Sequence, residues 1–424
     1  MSSPIKLWIV SFAFAPRWAG PVERFVRYCP ALESKDIEVT FITPYQNESS
    51  REEDFGSHSV VRIGSPEDSK RSECFFRAAY RFILFHPGRP HVILNLAFDL
   101  SQLVMLPLLR WRGVESIFVS TMAVSQRDDC GMRRSKLKDT AIRFLIRLML
   151  NRHSAIVTST TALRQGLEAL GADKAKLQVI TNGVNLDRFA KCTEEERREL
   201  RKKFQLPQDE FIALFVGLIV QRKGILRLLN AWKAYKQTQG PGRLLLVGDE
   251  HRHVPEYASF YAELDELKNT LTAKDGVSFR PATKAIDEWF KVADLFIFMS
   301  ELEGMPNVLC EAMAARLPVL CNPFEGFSED FGHDGKELVI AKREIPDIAS
   351  QLLDLQRNLS IRQDLGNAAR AHMTEHNNVS RSVERYVDLI RSLSKSKRKT
   401  EGSHRRPDDH QNQPTQKERS QASR

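Results

Sequence analysis

The sequence predicts an α/β protein built from two similar units in tandem, and three observations support this prediction. Short β-branched or aromatic runs alternate with helix-length segments along most of the chain. Such alternation is typical of a parallel sheet covered by helices on both faces. It stops at a charged segment, EEERRELRKKF, and then restarts. The length of 424 residues also suits two domains of ordinary size.

The individual elements follow from this alternation. In the first unit the strand-like runs are LWIVSF, IEVTFIT, HVILNLA, SIFVST, SAIVTS and LQVIT, and helices are predicted over 21–34, 99–111, 136–150 and 161–170. In the second unit the runs are FIALFVG, RLLLVGD, VSFR, LFIFMS, LPVLCN and LVIA, with helices over 223–238, 256–272 and 307–315. Glycines and prolines near the strand ends place loops at the carboxyl edges of both sheets, where open α/β sheets bind ligands.

These patterns divide the chain into an N-terminal domain, a linker, a C-terminal domain, a final amphipathic helix and a tail. The helix is predicted from apolar residues at helical spacing in VSRSVERYVDLIRSLSK. The tail is basic and has almost no apolar residues, so it is predicted to be disordered. The predicted ranges, in order, are 1–188, 189–208, 209–376, 377–395 and 396–424.

Composition narrows the class of protein. The chain is 42% apolar and 28% charged, as expected of a globular protein. Its first residues contain no small-residue cleavage site, and no long uncharged apolar run occurs, so we expect neither a secretory signal nor a transmembrane helix. The cysteines form no C-x-x-C pair, which favours reduced thiols in the cytosol over a zinc site or disulfides.

The stretch ELEGMPNVLCEAMAA carries two glutamates, Glu303 and Glu311, in otherwise apolar surroundings. It follows a predicted strand, and Pro306 suits the first turn of a following helix. Free N–H groups at a helix start favour phosphate or sugar hydroxyls, and flanking carboxylates can accept hydrogen bonds from vicinal hydroxyls. The plainer alternative, preferred for an isolated pair, is that Glu303 complements the helix dipole and Glu311 is a solvated helix residue.

Three other stretches support a ligand site. FVGLIVQRKGILRLL places Arg222 and Lys223 in a loop after a strand, where a lysine can bind a diphosphate as a point charge. FAPRWAGPVERF places Gly20 after the first strand, where backbone can approach a ligand closely. VITNGVNLDRF places an Asn-Gly turn after the last strand of the first domain. A solvated basic turn and an ordinary strand-to-helix turn are the alternatives for the first two.

Together these motifs resemble the family 4 retaining glycosyltransferases of the GT-B fold, over roughly residues 5 to 390. The most specific match is the E-x7-E motif followed by LPVL; F-V-G-x5-K-G, L-V-G, A-D-L-F and N-G-V are also similar. The resemblance implies two Rossmann-like domains facing a cleft, with the C-terminal helix crossing back to the first domain. It also implies a nucleotide-sugar donor held mainly by the second domain.

The resemblance assigns roles to individual residues. Glu311 would bind the donor ribose, and Glu303 the transferred sugar. Lys223, with Arg222 as a further cation, would bind the diphosphate, and Gly20 would let the first-domain loop close over it. Backbone groups of the turn that follows Glu303 would complete the donor site: Gly304, Met305, Pro306 and Asn307. No D-x-D occurs, and the resemblance implies neither metal nor cofactor.

The chain departs from the family pattern at several positions. Leu218 replaces a customary arginine, so that one phosphate-binding cation is missing, and no histidine occurs near Thr121, where the family has one. Ala19 and Arg316 stand where glycines are common. The leucine and the missing histidine support one alternative, a catalytically silent nucleotide-sugar-binding or scaffold subunit. A second alternative, a sugar-nucleotide epimerase on the same fold, would be favoured by a proton-transfer group such as a first-domain histidine, and no such group is identified.

The function expected from the resemblance is a metal-independent hexosyltransferase that acts with retention of configuration. It would move a sugar from a nucleoside diphosphate to a glycan or lipid-linked glycan, as in cell-surface polysaccharide synthesis. GMRRSKLKDTAIRFLIRLMLNR (131–152) combines basic and apolar residues; it suits peripheral membrane contact or, equally, a core helix with a solvated basic end. We therefore expect a cytoplasmic protein, with a position at the inner face of the membrane as the alternative, and no specific nucleic-acid partner.

Overall fold

The chain forms two parallel β-sheets, each flanked by helices, as the sequence predicts. The computed structural model describes residues 3–15, 20–46, 49–65, 71–120 and 136–402. The first sheet contains β1 (Ile5–Val10), β2 (Ile37–Pro44), β3 (Glu52–Asp54), β4 (Ser59–Ile63), β5 (Val92–Asn95), β6 (Glu115–Ser120), β7 (Ala155–Thr158) and β8 (Leu177–Val179), and the second contains β9 (Ile212–Val216), β10 (Arg243–Val247), β11 (Val277–Arg280), β12 (Leu295–Phe298), β13 (Val319–Cys321) and β14 (Val339–Ile340).

The helices surround these sheets. Those of the first half are α1 (Gly20–Glu33), α2 (Ser72–Phe85), α3 (Gln102–Trp111), α4 (Lys136–Arg152) and α5 (Thr161–Ala169). A charged helix, α6 (Glu194–Lys203), precedes the second sheet. The remaining helices are α7 (Ile225–Gln237), α8 (Ala258–Asn269), α9 (Ile286–Val292), α10 (Asn307–Ala314), α11 (Ile345–Arg357), α12 (Leu359–His376) and α13 (Val379–Gly402).

Strand order places particular loops side by side. The first sheet has the order β3-β4-β2-β1-β5-β6-β7-β8, and the second has β11-β10-β9-β12-β13-β14. All neighbouring strands are parallel except β3 and β4. Because β9 and β12 are adjacent and parallel, the loops that follow them emerge at the same edge of the second sheet. These are the loops that carry Lys223 and Glu303.

Helix α13 crosses back to the first domain, as the resemblance implied. It packs against α1, β1 and β5. Tyr386 and Ile390 of α13 share a buried core with Leu7 and Ile9 of β1. The apolar spacing seen in the sequence is thus the face of α13 that packs on the first sheet, while Glu384, Arg385 and Asp388 are exposed.

The carboxyl edges of the two sheets face each other. The backbone N–H and hydroxyl of Thr161, which follows β7, both donate to the Asp330 carboxylate of the second domain, at 2.6 and 2.7 Å. Near the domain connection, the Val184 N–H donates to the Asn377 carbonyl at 2.7 Å. A cleft between two α/β domains is the arrangement expected from the sequence.

Some elements differ from the expected ones. The polar stretch 46–57, interpreted as a surface loop, contains β3, which pairs antiparallel with β4 at the sheet edge. A polar strand is tolerated there because an edge strand has only one neighbour. Helix α13 runs to Gly402, past the predicted end at residue 395, because the lysine-rich segment favours helix well enough to continue it. The disorder predicted for the tail over 396–424 stays a prediction, since residues 403–424 lie outside the described residues.

Arg316 ends α10 in a conformation that usually requires glycine. Its φ is 60°, in the left-handed region, which costs a non-glycine residue about 1 kcal/mol. Gly366 of α12 is packed so closely that an added Cβ would lie 2.1 Å from the Arg316 carbonyl oxygen. Arg316 thus stands where a glycine is common, while Gly366, which packs against it, cannot be replaced without a clash.

No helix within the described residues combines the length and the apolar character needed to cross a bilayer.

Candidate active site

The candidate site begins at the loop after β9. Residues Gln221–Lys223 form a short 3-10 turn that ends at Gly224, whose φ is 67°. A Cβ at Gly224 would lie 2.0 Å from the Met299 carbonyl oxygen, so only glycine fits. The Glu301 N–H donates to the Arg222 carbonyl at 2.8 Å. The loops after β9 and β12 are therefore in direct contact, and the glycine of the K-G motif permits it.

Glu303 is the centre of a cluster of donors. One of its carboxylate oxygens, Oε1, accepts hydrogen bonds from Lys223 Nζ at 2.6 Å and from Arg222 Nη1 at 2.9 Å. The hydroxyl of Ser300 also donates to that oxygen, at 2.5 Å. The side chains of Lys223 and Glu303 are only 10% and 11% exposed, whereas that of Arg222 is 37% exposed. Two cations and one carboxylate give this buried site a net positive charge.

Burial lowers the pKa of Lys223, and the neighbouring Glu303 carboxylate opposes that shift. The ammonium also lies 5.3 Å from the centre of the Phe298 ring, a favourable cation–π position. A desolvated ammonium that is held by one carboxylate and an aromatic face is well placed to bind a strong anion. The site therefore offers both an anion-binding cation and a hydrogen-bond acceptor within a few ångströms.

The turn after Glu303 leads directly into α10. Gly304, Met305 and Pro306 are buried, and Asn307 is partly exposed at the first position of the helix. Close packing holds this turn, since a Cβ at Gly326 would lie 2.0 Å from the Glu303 carbonyl oxygen. The free N–H groups at the start of α10 accordingly lie next to the Glu303 cluster.

Glu311 lies on α10 and faces the first domain. Its side chain is 12% exposed, and its carboxylate is 4.0 Å from Arg27 of α1. Burial raises its pKa, with Arg27 and Arg188 acting in the opposite direction. The loss of water around this carboxylate thus outweighs the attraction of the two arginines. Such a carboxylate is a strong hydrogen-bond acceptor for hydroxyl groups.

The structure brings together most of the residues singled out from the sequence. Glu303, Lys223 and Arg222 form one cluster, adjoined by Gly304, Met305, Pro306 and Asn307; Glu311 follows on α10. Gly20 is separate: it begins α1 in the first domain, and an added Cβ there would meet nothing within 4 Å. The loop before it, residues 16–19, lies outside the described residues, as do Thr121 and 131–135.

Structure also reveals participants that the motifs did not indicate. Ser300, Arg27 and Arg24 contact site residues, yet none stands out in the sequence. Ser300 lies two residues after the end of β12, which is a weak signal for a site residue. The Arg222 side chain points to Glu303. Leu218, at the position of the customary arginine, is 37% exposed and carries no charge that could bind a phosphate.

Comparisons with known proteins agree with this architecture. The family model described as Glycosyl transferases group 1 matches residues 196–372, and that described as Glycosyltransferase Family 4 matches residues 19–188. TuaC of Bacillus subtilis, named for teichuronic acid biosynthesis, is 34% identical over 155 residues, which make up 36% of this chain and 35% of TuaC.

Two further similarities extend over most of the chain. Alpha-monoglucosyldiacylglycerol synthase of Acholeplasma laidlawii is 23% identical over 377 residues, 84% of this chain and 89% of that protein. HepE of Anabaena, solved with UDP and with UDP-glucose, has the same fold, with TM-scores of 0.70 and 0.69 at 14% identity; the match covers 92% of this chain and 100% of HepE. The chain therefore belongs to the group 1 glycosyltransferases and has their GT-B fold.

Proposed function

We propose that the protein is a metal-independent, retaining hexosyltransferase that uses a nucleoside-diphosphate sugar and acts on a glycan or lipid-linked glycan. The observation that carries this proposal is the Glu303 carboxylate held by Lys223 and Arg222 beside the start of α10. The E-x7-E motif, typical of retaining members, supports retention. TuaC, by its name, supports a role in polysaccharide synthesis.

The cluster suggests how a donor would bind. The diphosphate would take Lys223 and Arg222 from Glu303, because two negatively charged phosphates attract these cations more strongly than one carboxylate does. Glu303 would then be free to accept hydrogen bonds from hydroxyls of the transferred sugar. Free sugar alone lacks the charge needed to displace the two cations. We therefore propose that the diphosphate prepares the sugar site.

The same groups would act during transfer. As the bond between the sugar and the diphosphate breaks, positive charge grows on the sugar ring and negative charge on the leaving diphosphate. Lys223, Arg222 and the N–H groups of α10 are positioned to stabilise the leaving group without a metal. Glu303, next to the sugar, would stabilise the ring. Closing of the two domains over the donor would exclude water and limit its hydrolysis.

Transfer and binding together test the proposal. Calorimetry with UDP, GDP and ADP, followed by their sugars, should identify one nucleotide that binds selectively, as UDP binds to HepE. NMR of the product formed on a short acceptor would then show whether the anomeric configuration is kept. Inversion would refute retention. Selective binding without transfer would support the silent subunit, and interconversion of sugar nucleotides would support the epimerase.

An exposed apolar surface suggests where the acceptor comes from. On the first domain, α3 and α4 pack together. We call the exposed apolar residues of these two helices and of the turn before α3 the α3–α4 surface: Leu100, Val104, Leu108, Trp111, Phe144, Leu145 and Leu148. Trp111 is 83% exposed and Phe144 62%. Exposed arginines, including Arg143 and Arg147, lie on the same helix as Phe144. Apolar side chains with cations beside them match an anionic lipid surface.

We propose that the α3–α4 surface holds this cytoplasmic protein at the inner face of the membrane, near a lipid-linked acceptor. The protein should sediment with vesicles that contain phosphatidylglycerol, and a Trp111→Glu/Phe144→Glu variant should remain in solution. Phe55→Glu is the matched control, since Phe55 is 52% exposed but lies beside the β3–β4 edge. Equal sedimentation of the wild type and the double variant would contradict the proposal.

A further inference from the structure

Asn182 of the N-G-V turn joins the first domain to the turn that follows Glu303. Its side-chain Nδ2 donates to Asn307 Oδ1 at 2.9 Å, and its backbone N–H contacts the sulfur of Met305 at 3.1 Å. Met305 and Asn307 lie in the turn after Glu303 and at the start of α10. A change in the position of Asn182 would therefore shift the part of the second domain that is proposed to bind the donor.

Asn182 is itself held by α1. Arg24 Nη1 donates a hydrogen bond to Asn182 Oδ1. Because the oxygen of the amide is engaged by Arg24, its nitrogen is directed to Asn307. One helical turn further along α1, the hydroxyl of Tyr28 accepts a hydrogen bond from the Gly183 N–H at 2.9 Å. Helix α1 thus holds both residues of the Asn-Gly turn.

The Arg24 guanidinium is a buried cation with few polar partners. Arg24 is 2% exposed and lies 5.0 Å from the centre of the Phe25 ring, and its Nε and Nη2 have no hydrogen-bond partner in the part of the chain that the structure describes. Among residues 3–15, 20–46, 49–65, 71–120 and 136–402, no carboxylate forms an ion pair with it. Burying a cation without a carboxylate costs several kcal/mol, so a neutral residue would hold the turn at lower cost. Packing alone therefore does not explain why a cation occupies this position.

We infer that Arg24 is a positioning residue for sugar transfer. It orients the Asn182 amide, which in turn sets the start of α10 relative to the first domain when the cleft closes. Its charge also adds a positive field on the first-domain side of the turn that carries Met305 and Asn307. This inference rests on the proposed function, since it concerns the donor site, but it assigns Arg24 no contact with the donor.

A double-mutant cycle tests the inference. Arg24→Met keeps the side-chain stem and removes the guanidinium; Asn307→Ala removes the other end of the relay. We expect Arg24→Met to lower kcat by about 10- to 100-fold, while nucleoside-diphosphate affinity by calorimetry changes less than about threefold. In the Asn307→Ala background, Arg24→Met should have a much smaller effect, because the relay is already broken. Arg24→Lys, which retains the charge but not the planar fork, should recover part of kcat.

The outcomes separate the inference from the proposed function. A wild type that binds no nucleotide refutes the proposed function, and the inference with it. An active wild type whose kcat is unaffected by Arg24→Met refutes the inference alone. The same holds if the losses from Arg24→Met and Asn307→Ala simply multiply while the melting temperature falls in parallel, since that is the result of a purely structural role. Arg391→Met is the control, because Arg391 of α13 donates to the Lys35 carbonyl beyond the end of α1 and not to the Asn-Gly turn.

Discussion

Replacing Lys223 by methionine should lower the rate of sugar transfer by about 100- to 1,000-fold, which corresponds to about 3 to 4 kcal/mol of transition-state stabilisation. Lys223 is the more buried of the two cations on Glu303, and burial strengthens its interaction with the charge that develops on the leaving diphosphate. Methionine preserves the length and the apolar stem of the side chain. Steady-state kinetics with the identified donor, at saturating acceptor, measure the effect.

Two further variants make this result specific. Arg222→Met should have a smaller effect, because the Arg222 side chain is 37% exposed and water screens its charge. Lys202→Met, at an exposed position of α6, should leave the rate unchanged. Because Lys223→Met leaves the buried Glu303 with one cation fewer, the melting temperature of each variant should be measured to show that it is folded. A folded Lys223→Met variant that transfers sugar at the wild-type rate would show that the diphosphate binds elsewhere.

The second large effect is expected at Glu311. Glu311→Gln should weaken nucleotide binding by about 10- to 100-fold, because hydrogen bonds from ribose hydroxyls to a carboxylate are worth about 1.5 to 3 kcal/mol. Calorimetry with the selected nucleoside diphosphate measures the loss. Glu301→Gln is the matched control, since Glu301 lies in the loop between β12 and α10 but is 46% exposed and pairs with Arg227. Unchanged affinity in Glu311→Gln would exclude ribose binding at this position.

The pKa of Glu311 adds two consequences with a defined sign. Burial raises the pKa in the folded protein, so the folded state holds the proton more tightly than the unfolded one. The resulting stability is present at low pH and is lost as pH rises through the folded pKa. Glu311→Gln should therefore not lower the melting temperature at neutral pH, even though it weakens binding.

In the wild type, nucleotide affinity should decrease as pH falls through that raised pKa, because the protonated carboxyl accepts fewer hydrogen bonds.

Much of the fold follows from local pattern. The helices predicted over 161–170 and 307–315 are α5 and α10 to within a residue, since their apolar spacing and flanking turns are clear. The elements that were not predicted are helices α2, α9, α11 and α12 and strands β3 and β4. Helix α2 is rich in aromatic residues, which do not distinguish a helix from a strand. Strand β3 is polar, so its pairing with β4, and not its residue propensity, makes it a strand.

The candidate site shows the same division. The E-x7-E spacing and the K-G loop identify Glu303, Glu311 and Lys223 because each lies at a fixed offset from a strand end. Ser300 and Arg24 have no such mark, and their roles depend on which strands are neighbours and how α1 packs against the Asn-Gly turn.

The sequence by itself determined two α/β units, the turns at their carboxyl edges and the charged residues those turns carry, because these depend on periodicity, glycine positions and chain-local spacing. Only the tertiary structure decided that Arg222 points to Glu303, that Glu311 faces Arg27, and that Asn182 joins α1 to α10. These contacts link residues more than eighty positions apart or in different domains. Their geometry is set by strand order and by domain packing, which no local pattern encodes.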